Sequence, residues 1–356
     1  MFRTNRPLFS RIINGMFRKI SPSFRRLEPN ILLFAKRKEL YQNNEFNNIY
    51  KQINVHDQHI LSNKKWNVKY IYIVCFIISL IFLFLPRLNA DESQFLNKNT
   101  VNYDIQKLCL LTGIDLKNAD IDTVVFETQK IWLRSANEER WEMKKSYDSN
   151  EAAIMQIMDK LGFLKSIWPK EYNYNYALLL GARVTTMKKR FETLEKCIKR
   201  GVKIEEIVLL GGERELIIEE IGVMNELGFP KVKTEYEAML CLVKYCLSPN
   251  SLNQVNIKYI NAPKKLTSTG KLLRPTTADT IKQWIVQYNP HEGRVLGVSS
   301  APFIQYQHFV VKSYIGNMDL ETVGEMDNTL RSADVYLDNL ARTLYQLKAV
   351  TDVAPL

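Results

Sequence analysis

The sequence predicts an α/β fold with a doubly wound, mainly parallel sheet, preceded by a single transmembrane helix and a helical prelude. Three observations support this. Residues 1–69 carry 14 basic and 4 acidic residues, whereas the remaining 287 of the 356 residues have a formal charge of only +1. An uncharged apolar run occupies residues 70–86. Beyond residue 170, short apolar runs alternate with helical patterns, which indicates parallel strands joined by crossover helices.

The basic tail, residues 1–69, accounts for nearly all of the net charge of +11. A nucleic-acid-binding domain needs its basic residues on a folded face, so this distribution argues against nucleic acid as a partner. The tail is expected to be partly disordered and to lie on anionic lipid.

Residues 70–86 (YIYIVCFIISLIFLFLP) are predicted to span a membrane as a helix. Seventeen helical residues cover about 25 Å, near the lower limit for a hydrocarbon core of about 30 Å. Lys64, Lys65 and Lys69 precede the run, and positive residues favour the cytoplasmic side. We therefore expect a single-pass protein with a cytoplasmic N-terminus and an extracytoplasmic C-terminal domain.

Two alternatives to a retained anchor remain open. Leu88, Asn89 and Ala90 resemble a signal-peptidase site, so the apolar run could belong to a cleaved signal peptide. Residues 1–27 carry seven basic residues and no acid, a composition that fits an address to an organellar membrane.

Residues 87–101 are polar and predicted to be a linker, and residues 102–170 form the helical prelude. Its clearest element starts after Asn150, which can cap the helical pattern AAIMQIMDKLGFL. Residues 171–350 form the α/β domain. Its predicted strands are 176–180, 207–210, 254–260, 294–299 and 319–323, and its predicted helices are 182–199, 235–247, 276–288, 304–315 and 332–347.

Polar residues and glycines gather where the predicted strands end. In open parallel sheets, ligands bind beyond the carboxyl ends of the strands, and glycines and helix N-termini let backbone amides approach an anion. Arginines can hold a phosphate or carboxylate in a forked contact. The predicted ligand-binding residues are Gly181, Arg183, Gly211, Gly212, Arg274, Thr277 and Ser299.

Candidate catalytic residues are few. Glu213 and Asp279 are the acids expected in the cleft, and either could serve as a base or merely pair with a neighbouring arginine. The chain after the apolar run has two histidines and no metal-ligand spacing, so no metal is expected. Its four cysteines, Cys109, Cys197, Cys241 and Cys246, could form disulfides or stay as buried thiols.

Five stretches, YALLLGARVTTMKKRFETLEKCIKRG, EIVLLGG, YEAM, TTADT and VLGVSS, resemble the bacterial envelope-associated family typified by YdcF, SanA and ElyC. The resemblance spans roughly residues 174–325. It implies a Rossmann-like domain, frequent membrane anchoring and a nucleotide-type or carrier-lipid ligand. The positions that correspond are Gly181, Arg183, Gly211, Gly212, Glu237, Thr277, Asp279 and Ser299.

The sequence departs from this family at two places. Asp279 and Thr280 replace its Glu-Asn pair, and Phe303 and Tyr306 lie near the positions of its His and Arg. The leading hypothesis is a membrane-anchored protein that binds a small phosphorylated or nucleotide-like ligand, with a nucleotide or S-adenosylmethionine as possible cofactor, in cell-envelope precursor metabolism. The alternative is a noncatalytic envelope or interaction protein with a vestigial cleft.

Overall fold

The computed structural model describes residues 94–97, 100–116, 119–135, 142–143, 146–253, 255–268, 270–326 and 331–353. These residues all belong to one compact unit, residues 88–356. The predicted basic tail and the predicted span of residues 70–86 lie outside the described residues. Within the described residues, no helix has the length and apolar character needed to cross a bilayer.

The strands, in chain order, are β1 (Leu96–Asn97), β2 (Thr100–Val101), β3 (Asn173–Leu180), β4 (Lys203–Gly212), β5 (Asn256–Ala262), β6 (Lys265–Leu266), β7 (Leu272–Leu273), β8 (Arg294–Ser300) and β9 (Asp319–Glu325). The α-helices are α1 (Tyr103–Leu111), α2 (Ile121–Ile131), α3 (Glu151–Lys160), α4 (Val184–Lys199), α5 (Ile218–Glu226), α6 (Glu235–Cys246), α7 (Pro249–Leu252), α8 (Thr277–Tyr288), α9 (Ile304–Lys312) and α10 (Ala333–Val353).

The main sheet has five strands in the order β5-β4-β3-β8-β9, and every neighbouring pair is parallel. The predicted doubly wound parallel sheet is therefore confirmed, and the fold is Rossmann-like. The chain winds from β3 outward to β5, then returns to β8 on the other side of β3. Strand order thus reverses between β3 and β8, the point where ligands bind in folds of this kind.

Helices cover both faces of the sheet because the central strands are apolar on both sides. On β3, Ala177 and Leu179 face the core formed with α4, α5 and α6. The alternate residues Leu178 and Leu180 face the core formed with α8 and α9. This alternation is the two-residue period of a strand, and all four side chains are fully buried.

A further helical layer, formed by α1, α2, α3 and α10, packs on the outer side of α9. Phe309 of α9 joins its core, where Phe95 stacks edge-on against Phe309 and Phe163. Phe95 precedes the short antiparallel pair β1–β2, which lies within the segment predicted as a linker. The last helix, α10, thus completes the core of the helical prelude.

The four cysteines in the described part of the chain are free thiols. Cys109 is buried in the core of the helical layer, and Cys197 in the core between α4 and the sheet. Burial raises the pKa of the Cys109 thiol to about 12 and that of Cys197 to about 11, so both are protonated at neutral pH.

Candidate functional site at the carboxyl end of the sheet

The sheet brings together the predicted residues that follow its central strands. Leu180 pairs with Leu210 across β3 and β4, so Gly181, which follows β3, lies beside Gly211, which still pairs with Asn261 of β5. Leu179 pairs with Val298, which places Ser299 at the same edge, across the point of strand reversal.

Gly181 makes room for a buried carboxylate. A β-carbon at this position would lie 2.9 Å from the carboxylate of Glu235, the first residue of α6. Glu235 is only 7% exposed, and burial raises the pKa of its carboxyl group, although Arg214 and Arg190 oppose the shift. Glu235 could not be predicted from the sequence, because the first position of a helix gives no sign of burial beside the end of a strand.

Arg214 holds the carboxylates of this edge together. Its guanidinium donates to Glu220 (2.7 and 2.9 Å), to the carbonyl of Ala182 (2.9 Å) and, at 3.4 Å, to Glu235. Burial would raise the pKa of Glu220, but the hydrogen bonds from Arg214 outweigh it and lower the pKa. Glu220 is therefore an ionised carboxylate, paired with Arg214.

Glu220 also caps α4. Its Oε1 accepts the amide hydrogen of Val184, the first residue of α4, at 2.9 Å. The N-terminus of the helix after the first strand is where folds of this type bind a phosphate. In this protein, a carboxylate of the chain itself bonds to that helix terminus.

Arg190, on α4, joins the two central strand ends and is only 2% exposed. One terminal nitrogen donates to the carbonyls of Leu180 (2.7 Å) and Gly181 (3.0 Å). The other donates to Gln307 Oε1 at 3.1 Å and contacts Ser300 Oγ at 3.4 Å. The sequence held a signal for Arg190, because it lies three residues after Met187 on the apolar face of α4.

Ser299 is fully buried and donates its hydroxyl to Gln307, the residue that also accepts from Arg190. The predicted ligand-binding hydroxyl is thus part of the polar contacts that fix Arg190.

Gly211 and Gly212 permit close packing of the chain. A β-carbon on Gly211 would lie 3.0 Å from the Cα of Tyr236, and one on Gly212 only 2.4 Å from Cγ of Pro275. The spaces beside both glycines are therefore taken up by the chain itself.

The loop before α8 is organised by a capping box. Asp279 accepts from the backbone amide and the hydroxyl of Thr276, both at 2.9 Å, and pairs with Lys265. These bonds outweigh burial and lower the pKa of Asp279. Thr277 opens α8, and Arg274 is exposed three residues before it.

The remaining predicted residues lie around this edge. Arg183 is half-buried at the N-cap position of α4. Glu213 is exposed and accepts from the backbone amide of Lys264 at 3.1 Å. Glu237, which the family resemblance singles out, accepts from the backbone amides of Lys233 and Thr234 as the capping-box residue of α6.

A cavity of about 200 Å³ lies between α4 and the carboxyl ends of β8 and β9. Its wall carries three cationic and two acidic side chains: Lys189, Lys196, Arg331, Glu192 and Glu325. Thr186, Thr193 and Ser300 add hydroxyl groups. Ser300 connects this cavity to Arg190 and hence to the central strand ends.

Lys196 and Glu325 form an ion pair in the cavity wall. The Lys196 ammonium lies 2.7 and 2.8 Å from the two carboxylate oxygens of Glu325, and Thr193 also bonds to that carboxylate. No group of His, Cys, Asp and Glu residues in the described part of the chain is arranged to hold a metal ion.

No family model matches the chain, and neither a curated protein nor a solved structure is significantly similar to it. The resemblance to the YdcF, SanA and ElyC proteins therefore stays a prediction.

Proposed function

We propose that this chain is a membrane-anchored, Rossmann-like protein that binds a small phosphorylated ligand in cell-envelope precursor metabolism. The anchor is the apolar segment of residues 70–86, and the ligand site is the cavity between α4, β8 and β9. The proposal concerns binding. Asp279 and Glu213, the bases expected from the sequence, do not line the cavity.

The composition of the cavity wall is the observation that carries this proposal. Lys189, Lys196 and Arg331 outnumber the two acids of the wall, and the three hydroxyls supply further donors. Lysine and arginine donate charge-assisted hydrogen bonds to phosphate oxygens, which are about twice as strong as neutral ones. The wall therefore favours an anion that has several acceptor oxygens.

The size of the cavity narrows the ligand class. Pockets that hold drug-sized molecules measure about 300–1,000 Å³. At about 200 Å³, this cavity fits a phosphate with a small attached group, or the phosphate end of a longer molecule. A complete dinucleotide would extend well beyond it.

Thermal-shift and calorimetric titrations of the full chain test the proposal. The probes are inorganic phosphate, a nucleoside monophosphate, S-adenosylmethionine and a short polyprenyl phosphate. We expect a phosphate-bearing probe to bind, and Arg331→Ala to weaken its affinity by roughly 10- to 100-fold, the cost of one charge-assisted hydrogen bond.

Lys203→Ala is the matched control, because Lys203 is an exposed cation at the amino end of β4, away from the cavity. It should leave affinity unchanged. Absence of binding by every phosphate-bearing probe, or equal losses in the two variants, would contradict the proposal.

One observation favours a second candidate, a noncatalytic envelope or interaction protein with a vestigial cleft. Glu220 bonds to the N-terminus of α4, and Pro275 fills the space beside Gly212, so two expected phosphate contacts are made by the chain itself. This candidate predicts no thermal shift with any of the four probes.

A further inference from the structure

A hairpin projects from the carboxyl edge of the sheet after β5. We call residues 264–274 the basic hairpin; it contains β6 and β7, which pair antiparallel with Leu266 opposite Leu272. Two residue pairs form a short ladder, and an isolated two-stranded hairpin is marginally stable in water. Contact with a second surface would stabilise such a hairpin.

The outer face of the basic hairpin is apolar. Successive strand residues point to opposite faces, so Leu266 and Leu272 share one face while Lys265 and Leu273 share the other. Lys265 pairs with Asp279 of α8, which identifies its face as the one turned toward the domain. Leu266 and Leu272 point the opposite way and are 70% and 59% exposed, and Leu273, on the Lys265 face, is itself 45% exposed.

Basic residues surround these leucines. The hairpin sequence KKLTSTGKLLR contains four cations and no acid. The acids that face it from neighbouring segments are Glu213, Glu215 and Asp279. Glu215 pairs with the ammonium of Lys264 at 2.6 Å, and Glu213 accepts from its backbone amide. Lys271 directly precedes the exposed Leu272. Leucines flanked by cations are complementary to an anionic lipid surface.

The chain enters the described part of the structure at this same edge. Gln94 bonds to the carbonyl of Leu161, and its amide nitrogen would lie 3.0 Å from a β-carbon on Gly162. The amide of Gln305, the second residue of α9, would lie 3.2 Å from the same point. Since α9 starts just after β8 ends, Gln94 lies at the carboxyl edge of the sheet.

The predicted span ends close to this entry point in sequence. Seven residues, 87–93, separate it from Gln94. Fully extended, the eight Cα–Cα steps from residue 86 to Gln94 reach at most about 28 Å, at about 3.5 Å per step. A retained span would therefore keep Gln94, at the carboxyl edge of the sheet, within that distance of the end of the span.

We propose that the basic hairpin inserts Leu266 and Leu272 into an anionic bilayer, so that the carboxyl edge of the sheet faces the membrane. This inference rests on the membrane anchoring in the proposed function. In this orientation the cavity at the carboxyl ends of β8 and β9 also lies on the side facing the membrane, where the phosphate of a lipid would be located.

Photocrosslinking of the full chain tests this docking. Leu272→p-benzoylphenylalanine is compared with Val286→p-benzoylphenylalanine in vesicles of phosphatidylcholine and phosphatidylglycerol in equal parts. Val286 is 84% exposed, but it lies near the end of α8, at the amino edge of the sheet. We expect lipid adducts, detected by mass spectrometry, at position 272 and near-background yield at position 286.

A second variant tests whether electrostatic attraction to anionic lipid contributes to the docking of the basic hairpin. Adding Lys271→Glu should lower the adduct yield at position 272 by about fivefold or more, since each basic residue near an anionic surface contributes about that factor in binding. Equal yields at positions 272 and 286, no lipid adduct at position 272, or an adduct to a second copy of the chain there would each overturn the proposal.

Alkaline carbonate extraction of the same samples reports separately on the anchor. Extraction of the chain from the vesicles would contradict the anchoring, whereas the adduct at position 272 decides the docking in either case.

Discussion

The carboxylate of Glu235 lies where a side chain at position 181 would have to go. This contact couples the end of β3 to the first turn of α6, and Arg214 connects the same carboxylate to Glu220. The glycine that follows β3 is thus required for the close approach of a buried acid.

We expect Gly181→Ala to lower the free energy of unfolding by about 1–3 kcal/mol, because the added methyl group overpacks against the Glu235 carboxylate. Urea unfolding measures the change. Gly222→Ala is the control with the opposite sign: Gly222 lies within α5, a β-carbon there meets nothing within 4 Å, and alanine should stabilise the helix by about 0.5–1 kcal/mol.

The loss in free energy of unfolding caused by Gly181→Ala should be smaller in a Glu235→Ala background, where the clashing carboxylate is absent. An equal cost in the two backgrounds would show that the contact with Glu235 is not its cause.

Glu235 should also affect how stability depends on pH. Because burial raises its pKa in the folded state, the unfolded chain loses this proton first as pH rises above the ordinary value of 4.5. The contribution of Glu235 to the free energy of unfolding is therefore largest at low pH and decreases as pH rises toward the folded-state pKa. In Glu235→Gln this decrease should be absent, so the free energy of unfolding of the variant should rise relative to that of the parent as pH increases.

Urea midpoints over a pH series measure this effect. Glu226→Gln, at an exposed position on α5, is the matched control for the replacement of one glutamate by glutamine. A profile for Glu235→Gln that runs parallel to the parent would refute the assignment.

At the scale of elements, the N-terminus of α4 is capped by a carboxylate from another helix. Glu220→Ala removes this cap and the main partner of the partly buried Arg214, so we expect the free energy of unfolding to fall by about 3 kcal/mol. Inorganic phosphate should recover part of the loss, because the freed amide of Val184 and Arg214 form an anion site. The thermal midpoint of the variant should therefore rise more with phosphate than that of the parent.

Arg214→Ala combined with Glu220→Ala removes the cationic half of that site and should abolish the extra response. A response to phosphate of equal size in Glu220→Ala and the parent would show that the helix terminus takes no exogenous anion.

Most elements of the sheet domain follow from local patterns. Strands such as Ile207–Leu210 are continuous apolar runs because they are buried on both faces, and that pattern is visible in sequence. The basic hairpin was not predicted, because its paired strands are only two residues long and its leucines are exposed. The sequence also gave no sign that α10 packs with the prelude, since an amphipathic pattern does not specify its partner.

The candidate site was less accessible to prediction than the fold. The glycines and Ser299 could be placed at one edge because the parallel topology requires it. Which groups fill the spaces beside those glycines depends on contacts between distant segments, such as Gly212 with Pro275 or Gly181 with Glu235. Sequence periodicity carries no information about such contacts.

For the whole molecule, the decisive prediction is its topology in the membrane. The basic excess before residue 70 predicts that the chain after Ala90 is extracytoplasmic. In a bacterial host, alkaline phosphatase fused after Ala90 should be active, and a fluorescent protein that folds only in the cytoplasm should be dark at the same junction. The reverse pattern would place the sheet domain in the cytoplasm.

The labelling rates of the two buried cysteines, Cys109 and Cys197, report separately on the opening of the helical layer and of the sheet domain. Cys109 lies in the core of the helical layer and Cys197 in the core between α4 and the sheet. Each thiol reacts with a labelling reagent only when its own core opens, because burial keeps it inaccessible and protonated. With Cys75 replaced by alanine, and Cys241 and Cys246 by serine, the two labelling rates show whether prelude and sheet open as one cooperative unit or independently.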